Sequence, residues 1–192
     1  MSRLKMIGIF FAFVGPLLIA SVLYFGQNWF EFDATARGYL LPAGQMLNSA
    51  DVRLIKTDST RERSDNSLLD GRWLLLFNGT ADCDLYCQAN LFKMRQAKQV
   101  IGRDSARVRT VYLLSDASLG AELRDLLIQY PTFSVYEVAD AAQRGTQIPE
   151  LKQNHVYIVD PMGNLVLRYP PHADSRDIIS DIKRLLKVSK IG

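Results

Sequence analysis

Arg72-Trp73-Leu74-Leu75-Leu76-Phe77-Asn78-Gly79-Thr80-Ala81-Asp82-Cys83-Asp84-Leu85-Tyr86-Cys87 is the stretch that decides how this chain is read. Trp73 to Phe77 is a continuous apolar run with turn signals at both ends, the pattern of a central strand buried on both faces. Cys83 to Ile101 favours a helix, because Leu85, Ala89, Phe92, Gln96 and Val100 recur at helical spacing and Gly102 is a good stop. The chain's two cysteines therefore stand where a buried strand hands over to a helix.

Downstream, Val108 to Leu114 reads as a second buried strand, and a helix follows from Leu119 to Tyr130, where Pro131 forbids continuation. Phe133 to Val138 is a third strand. Val156-Tyr157-Ile158-Val159 and Leu165-Val166-Leu167-Arg168-Tyr169 flank Asp160-Pro161-Met162-Gly163-Asn164, a hairpin signal. An amphipathic helix closes the chain from Asp174 to Ser189, with Ile178, Ile182, Leu185 and Leu186 on one face. Upstream, Gly38 to Gly44 suits an edge strand or an extended lead-in and Val52 to Ile55 another short strand, while Lys56 to Asp70 is polar enough for a solvated loop or hairpin. This order predicts an α/β domain with a mixed sheet flanked by helices.

Met6 to Phe25 holds twenty residues without a charge, about what a helix needs to cross the hydrocarbon of a bilayer. It reads as a transmembrane helix, with the leader 1–5 (Arg3, Lys5) in the cytoplasm, 26–37 as a juxtamembrane linker and 38–192 as the outer domain. The rival reading is a cleaved signal peptide, but the run exceeds the usual hydrophobic region and no clear small-residue cleavage site follows. In a Gram-negative bacterium this places the protein in the inner membrane with its domain in the periplasm, where paired cysteines can oxidise. Removing Arg3 and Lys5 from the 23 basic residues leaves 21 against 20 acidic ones, so the main domain is nearly neutral and nucleic acid is excluded as a partner.

With a helix starting near Cys83, the spacing of four sets Cys83 and Cys87 on one face, roughly 6 Å apart. That is within reach of a disulfide. Four readings remain open: a structural bridge, a redox pair, a pair of metal ligands or two idle buried thiols. A bridge closing so short a loop removes only about 2 kcal/mol of unfolded-chain entropy. A helix N-terminus favours a thiolate, whereas Asp82 and Asp84 beside Cys83 oppose one and would attract a cation. Thiolates suit Cu(I), and an added imidazole makes a site able to hold Cu(II). His155, just before a strand, is the candidate for that imidazole. His172, in Pro170-Pro171-His172-Ala173, reads as an ordinary surface or capping residue; Met94 reads as core.

On these residues the outer domain resembles the thioredoxin-like superfamily, and within it the Sco/SenC family of membrane-anchored proteins that assist cytochrome c oxidase assembly. The likeness rests on the N-terminal anchor, Gly71 to Phe77 before the cysteines, the C-x-x-x-C at Cys83 and Cys87, and Val156 to Asn164. Met94-Arg95-Gln96, Gly102-Arg103-Asp104, Arg107-Val108 and the tail from Leu185 to Gly192 look like a proteobacterial branch of anchored proteins associated with oxidase assembly. The resemblance implies a thioredoxin-like fold, copper held by two cysteines and one histidine, and disulfide chemistry on a cytochrome c oxidase subunit or another copper or assembly protein. Here Asp84 and Gln88 replace the family's prolines after each cysteine, and Lys152 stands where its histidine does, with His155 three residues later. A metal-free thiol-disulfide oxidoreductase and a non-catalytic assembly protein are the competing classes.

Overall fold

The computed structural model describes residues 13–18, 21, 36–56, 67–115, 119–139 and 149–191. The chain divides into two compact units, Met1–Thr35 and Ala36–Gly192. In the first, residues 13–18 and 21 are helical and the rest of the expected 6–25 span lies outside the described residues. Among the described residues no helix is long and apolar enough to cross a membrane.

The second unit contains β1 (Tyr39–Leu40), β2 (Val52–Lys56), β3 (Trp73–Gly79), α1 (Leu85–Ile101), β4 (Val108–Leu114), α2 (Ala121–Ile128), β5 (Phe133–Val138), β6 (His155–Val159), β7 (Leu165–Tyr169) and α3 (Ser175–Val188). The strands form one mixed sheet in the order β1-β7-β6-β3-β4-β5-β2. β3, β4 and β5 run parallel, while β6, β7, β1 and β2 pair antiparallel. The continuous apolar run becomes β3, buried along its whole length between β4 and β6.

From β3 the chain steps to β4 and then to β5 in one direction across the sheet. Right-handed crossovers in one direction put their helices on one face, and the packing shows this. Leu91 and Met94 of α1, Leu123 and Leu127 of α2, and Ile178 and Ile182 of α3 share one core with Leu75, Phe77, Tyr112, Val135 and Ile158. The opposite face, lined by Leu74, Leu76, Val111, Leu113, Tyr136, Tyr157 and Val159, is covered instead by irregular chain bearing Leu47 and Leu68. Among the described residues the expected flanking helices all lie on one side.

Arg109 ties the irregular cover down. Its guanidinium is 2% exposed and donates to Ser67 O, Ser134 Oγ and Tyr136 Oη, with Asp70 3.6 Å away. Residues 67–69 are therefore packed cover rather than the solvated loop the composition suggested, while 57–66 lie outside the described residues.

Ala36 to Leu40 enter along the far edge of the sheet. Asp181, buried on α3, accepts from Arg37 N at 2.8 Å, Gly38 N at 2.9 Å and Tyr169 Oη at 2.8 Å. A Cβ on Gly38 would lie 2.7 Å from the Tyr169 ring, so only glycine lets the chain pass this close. Burial and the Asp181 carboxylate push the Tyr169 hydroxyl far up, which keeps it a donor at any ordinary pH.

Candidate functional site

Cys83 and Cys87 are joined in a disulfide with their Cα atoms 5.1 Å apart. The turn that holds them is fixed atom by atom. Thr80 Oγ1 donates to Asp82 O at 3.0 Å, and Ser115 donates to Gly79 O through both N and Oγ. The hydroxyl of Tyr112, buried under the turn, donates to Thr80 O at 2.8 Å and lies 3.5 Å from Cys87 Sγ. A Cβ on Gly79 would overlap the Tyr112 hydroxyl, so glycine is what allows the tyrosine to reach the turn.

The helix begins later than its sequence pattern suggests. Asp84 is the N-cap, its carboxylate accepting from Cys87 N at 2.8 Å, and α1 starts at Leu85. Cys83 therefore stands outside the helix, one residue before its N-cap. Capping occupies one oxygen of the Asp84 carboxylate with the Cys87 N–H and leaves its negative charge beside Cys83. The two sulfurs are unequal. Cys87 is 1% exposed and belongs to the core, whereas Cys83 is only partly buried.

The apolar stripe Leu85, Ala89, Phe92, Gln96 and Val100, which marks the helix in the sequence, does not face the core. The buried residues of α1 are Cys87, Asn90, Leu91, Met94, Ala97 and Ile101. A 3.6 period allows more than one stripe, and the chain's attachment at Cys87 sets which one meets the sheet.

His155 opens β6 and pairs with Asn78 of β3, which puts its backbone near the cysteine turn. Its side chain is directed elsewhere. Val156 and Ile158 point into the helix-side core and Tyr157 and Val159 into the opposite one, so alternation places the His155 ring on the face away from Cys87. Its Nδ1 lies 2.7 Å from Gln153 O. Burial holds its pKa below the ordinary range, and the charges of Arg168, Lys152 and His172 push the same way. His172 is exposed, and Met94 is buried core as expected.

Copper was expected on Cys83, Cys87 and His155. Among the described residues no three His, Cys, Asp or Glu side chains converge as a metal-holding group. The sulfurs are bonded to each other, and the imidazole lies across the sheet. The residues in this arrangement do not fit a two-cysteine, one-histidine copper centre.

The lowered His155 pKa has a sign. The unfolded chain takes up a proton at about 6.5 and the folded chain resists it, so this contribution to stability is complete above that pH and is lost as pH falls through the window below it. His155→Gln is expected to reduce the acid destabilisation between pH 7.5 and 5.5 by about half a kcal/mol or less, because the residue is only partly buried and solvent screens its charge. Urea midpoints of both chains at the two pH values check this; parallel shifts would refute it.

Sequence reading missed the groups that brace the site. Asn90, 1% exposed on α1, donates from Nδ2 to Asn154 O at 3.2 Å. Asn154, with φ 58°, donates its N–H to Asn78 O at 2.8 Å, and Asn78 Nδ2 reaches Leu151 O at 3.1 Å. These three asparagines fasten the loop before β6 to the helix and to the end of β3. The available signal was a short polar residue within an apolar helical stretch, together with Asn154 ahead of a strand, where asparagine tolerates the left-handed region.

Comparison with solved structures places the domain beside Sco proteins. Copper-bound ScoI of Arabidopsis thaliana is 17% identical with a TM-score of 0.51, covering 71% of this chain and 96% of that one. Apo Sco1 of Thermus thermophilus is 17% identical with a TM-score of 0.54, covering 79% and 97%. Sco1 of yeast is 13% identical with a TM-score of 0.55, covering 77% and 98%. At these identities the likeness is one of fold, and it bears out the expected thioredoxin-like sheet. Comparison with curated proteins finds no match. A strand, a C-x-x-x-C turn and a helix, followed by a β-hairpin and a closing helix on a mixed sheet, are also what the matching family model spans: over residues 73–189 the chain belongs to the transmembrane-like, thioredoxin-like, C-terminal domain family.

Proposed function

We propose that this chain is a membrane-anchored thiol-disulfide exchange protein that acts outside the cytoplasm on the cysteines of a cytochrome c oxidase subunit or of another copper or assembly protein. The observation that carries the chemistry is the asymmetry of the pair: a partly exposed Cys83 outside the helix and a buried Cys87 on its first turn. Support for the anchor is the uncharged stretch 6–25; support for the oxidase is the resemblance to Sco/SenC proteins.

In the reducing direction the Cys83 thiolate attacks one sulfur of a partner disulfide and forms a mixed disulfide, releasing the partner's other sulfur as a thiolate that takes a proton. Cys87, its proton lost to solvent, then attacks Cys83 Sγ. The Cys83–Cys87 disulfide forms and the second partner sulfur leaves, so two electrons pass to the partner. A thiol donor must supply the two electrons for the next cycle. Asp84 slows the first step by opposing the thiolate, and the cap it makes keeps Cys87 in place for the second.

A second reading, that the reduced pair carries Cu(I) as cargo, is favoured by the fold shared with copper-bound ScoI. One set of titrations separates the two. Equilibrated with glutathione buffers, the full chain in detergent is expected to show a disulfide reducible at potentials above about −300 mV. Resistance below that potential would leave a structural bridge and overturn the proposal. Stoichiometric Cu(I) binding by the reduced chain, lost in Cys83→Ser, would move the conclusion to copper carriage.

A further inference from the structure

The stripe that α1 turns away from its own core is an apolar surface continuous with the cysteine pair. Leu85 is 82% exposed, Tyr86 58%, Phe92 44% and Val100 52%. From Leu85 to Val100 the stripe spans about 22 Å at the helical rise. Arg95 stacks on Phe92, 5.4 Å from the ring centroid, and at 5.1 Å on Tyr130, so Phe92 is held in place beside a cation.

The charges around the stripe are ordered. Asp82 and Asp84 stand at the cysteine end; α1 itself carries Lys93, Arg95 and Lys98 and no acidic residue, and Arg103 follows its C-terminus, with the neighbouring Asp104 paired to Arg107. A second copy of this face would bring the same cations together if packed parallel, and if packed antiparallel would set the Cys83 of each copy beside the Gly102 of the other, where no sulfur meets a sulfur. A bilayer surface rich in anionic lipid would meet Asp82 and Asp84 at the end where chemistry occurs. An ordered segment of opposite polarity satisfies both ends.

We infer that α1 docks the partner's cysteine-bearing segment, an apolar-faced stretch with basic residues next to its cysteine and acidic residues about three helical turns away. This rests on the exchange reading above and names the class of its partner. The apolar stripe supplies contact area, and the Asp82/Asp84 to Arg95/Arg103 polarity fixes the direction in which the segment lies. That direction brings its cysteine to Cys83 rather than to Gly102.

The test uses the full chain in detergent, reduced, with three disulfide probes. One is an amphipathic peptide with lysines beside its cysteine and glutamates three turns on. The second has the same composition with the charges exchanged, and the third is glutathione disulfide. In both peptides the cysteine is blocked as a mixed disulfide with the same small thiol. The first peptide is expected to react at least tenfold faster than the second. Phe92→Glu and, separately, Val100→Glu are expected to lower the rate with the first peptide several-fold and to leave that with glutathione disulfide, too small to reach either residue, within twofold. Equal rates for both peptides, or no effect of either variant, overturn the docking. Self-association, or binding to vesicles of anionic lipid, that is sensitive to Phe92→Glu but accompanied by no peptide preference overturns it in favour of a second copy or the bilayer. Failure of glutathione disulfide itself to react removes the exchange reading instead, so the two failures are distinguishable.

Discussion

Cys87→Ser is expected to accumulate a mixed disulfide through Cys83, while Cys83→Ser reacts on the order of 100-fold more slowly with the same disulfide. The ground is access. Cys83 lies at the end of the turn, partly open to solvent, whereas the Cys87 sulfur is packed in the core beneath the Tyr112 hydroxyl. An incoming disulfide reaches Cys87 only after the first turn of α1 opens. A local opening of about 3 kcal/mol lowers the reactive population by roughly two orders of magnitude. In Cys87→Ser no second thiol remains to attack Cys83, and the mixed species persists. Mass spectrometry of quenched reactions with glutathione disulfide reads both variants. Equal rates for the two would refute the assigned order of attack.

The largest expected effect on stability lies far from the sulfurs. Asp181→Leu removes the acceptor for Arg37 N, Gly38 N and Tyr169 Oη together. Each buried donor left without a partner costs about 1–3 kcal/mol, and the loss here is expected to be about 3–5 kcal/mol because the two backbone donors lie close enough to the edge to recover water. Asp181→Asn keeps one carbonyl oxygen and is expected to lose roughly half as much. Urea unfolding of the full chain in detergent provides the measurement. A loss under 1 kcal/mol in the leucine variant would show that this carboxylate does not hold the edge.

The strands and helices of the domain were legible because burial leaves a strong pattern: β3 and β4 are mostly apolar, and Pro131, Gly102 and Asp160 to Asn164 punctuate as their backbone chemistry requires. The helix-to-sheet direction of α1 was not legible. Two stripes satisfied the same period, and the choice depends on how Cys87 seats against Phe77 and Tyr112, which are distant in sequence. His155 was misjudged for a similar reason. Its closeness to the cysteine turn follows from pairing with Asn78, but the face its ring occupies follows from strand alternation, and a single-residue change in register would reverse it. The cover of the second face was hidden because its fastening is polar. Arg109 inside an apolar strand reads as an interruption until Ser67, Ser134 and Tyr136 are seen around it.

The Asp181 clamp also has a mechanical meaning. Any pull on the chain from its N-terminal side arrives first at Arg37 and Gly38, where two backbone hydrogen bonds end on one carboxylate. Beside them are the Arg37–Asp177 ion pair and the two-residue ladder of β1 on β7, continued by Leu41 N to Val166 O at 3.0 Å and then by Gln45 O and Leu47 N pairing with Leu165 and Gly163. The remaining strands bear no load until that edge has peeled away. Residues 36 to 41 thus work as a lashing that yields before the cysteine site is strained, and tension from a tether would detach it without altering the geometry in which sulfur meets sulfur.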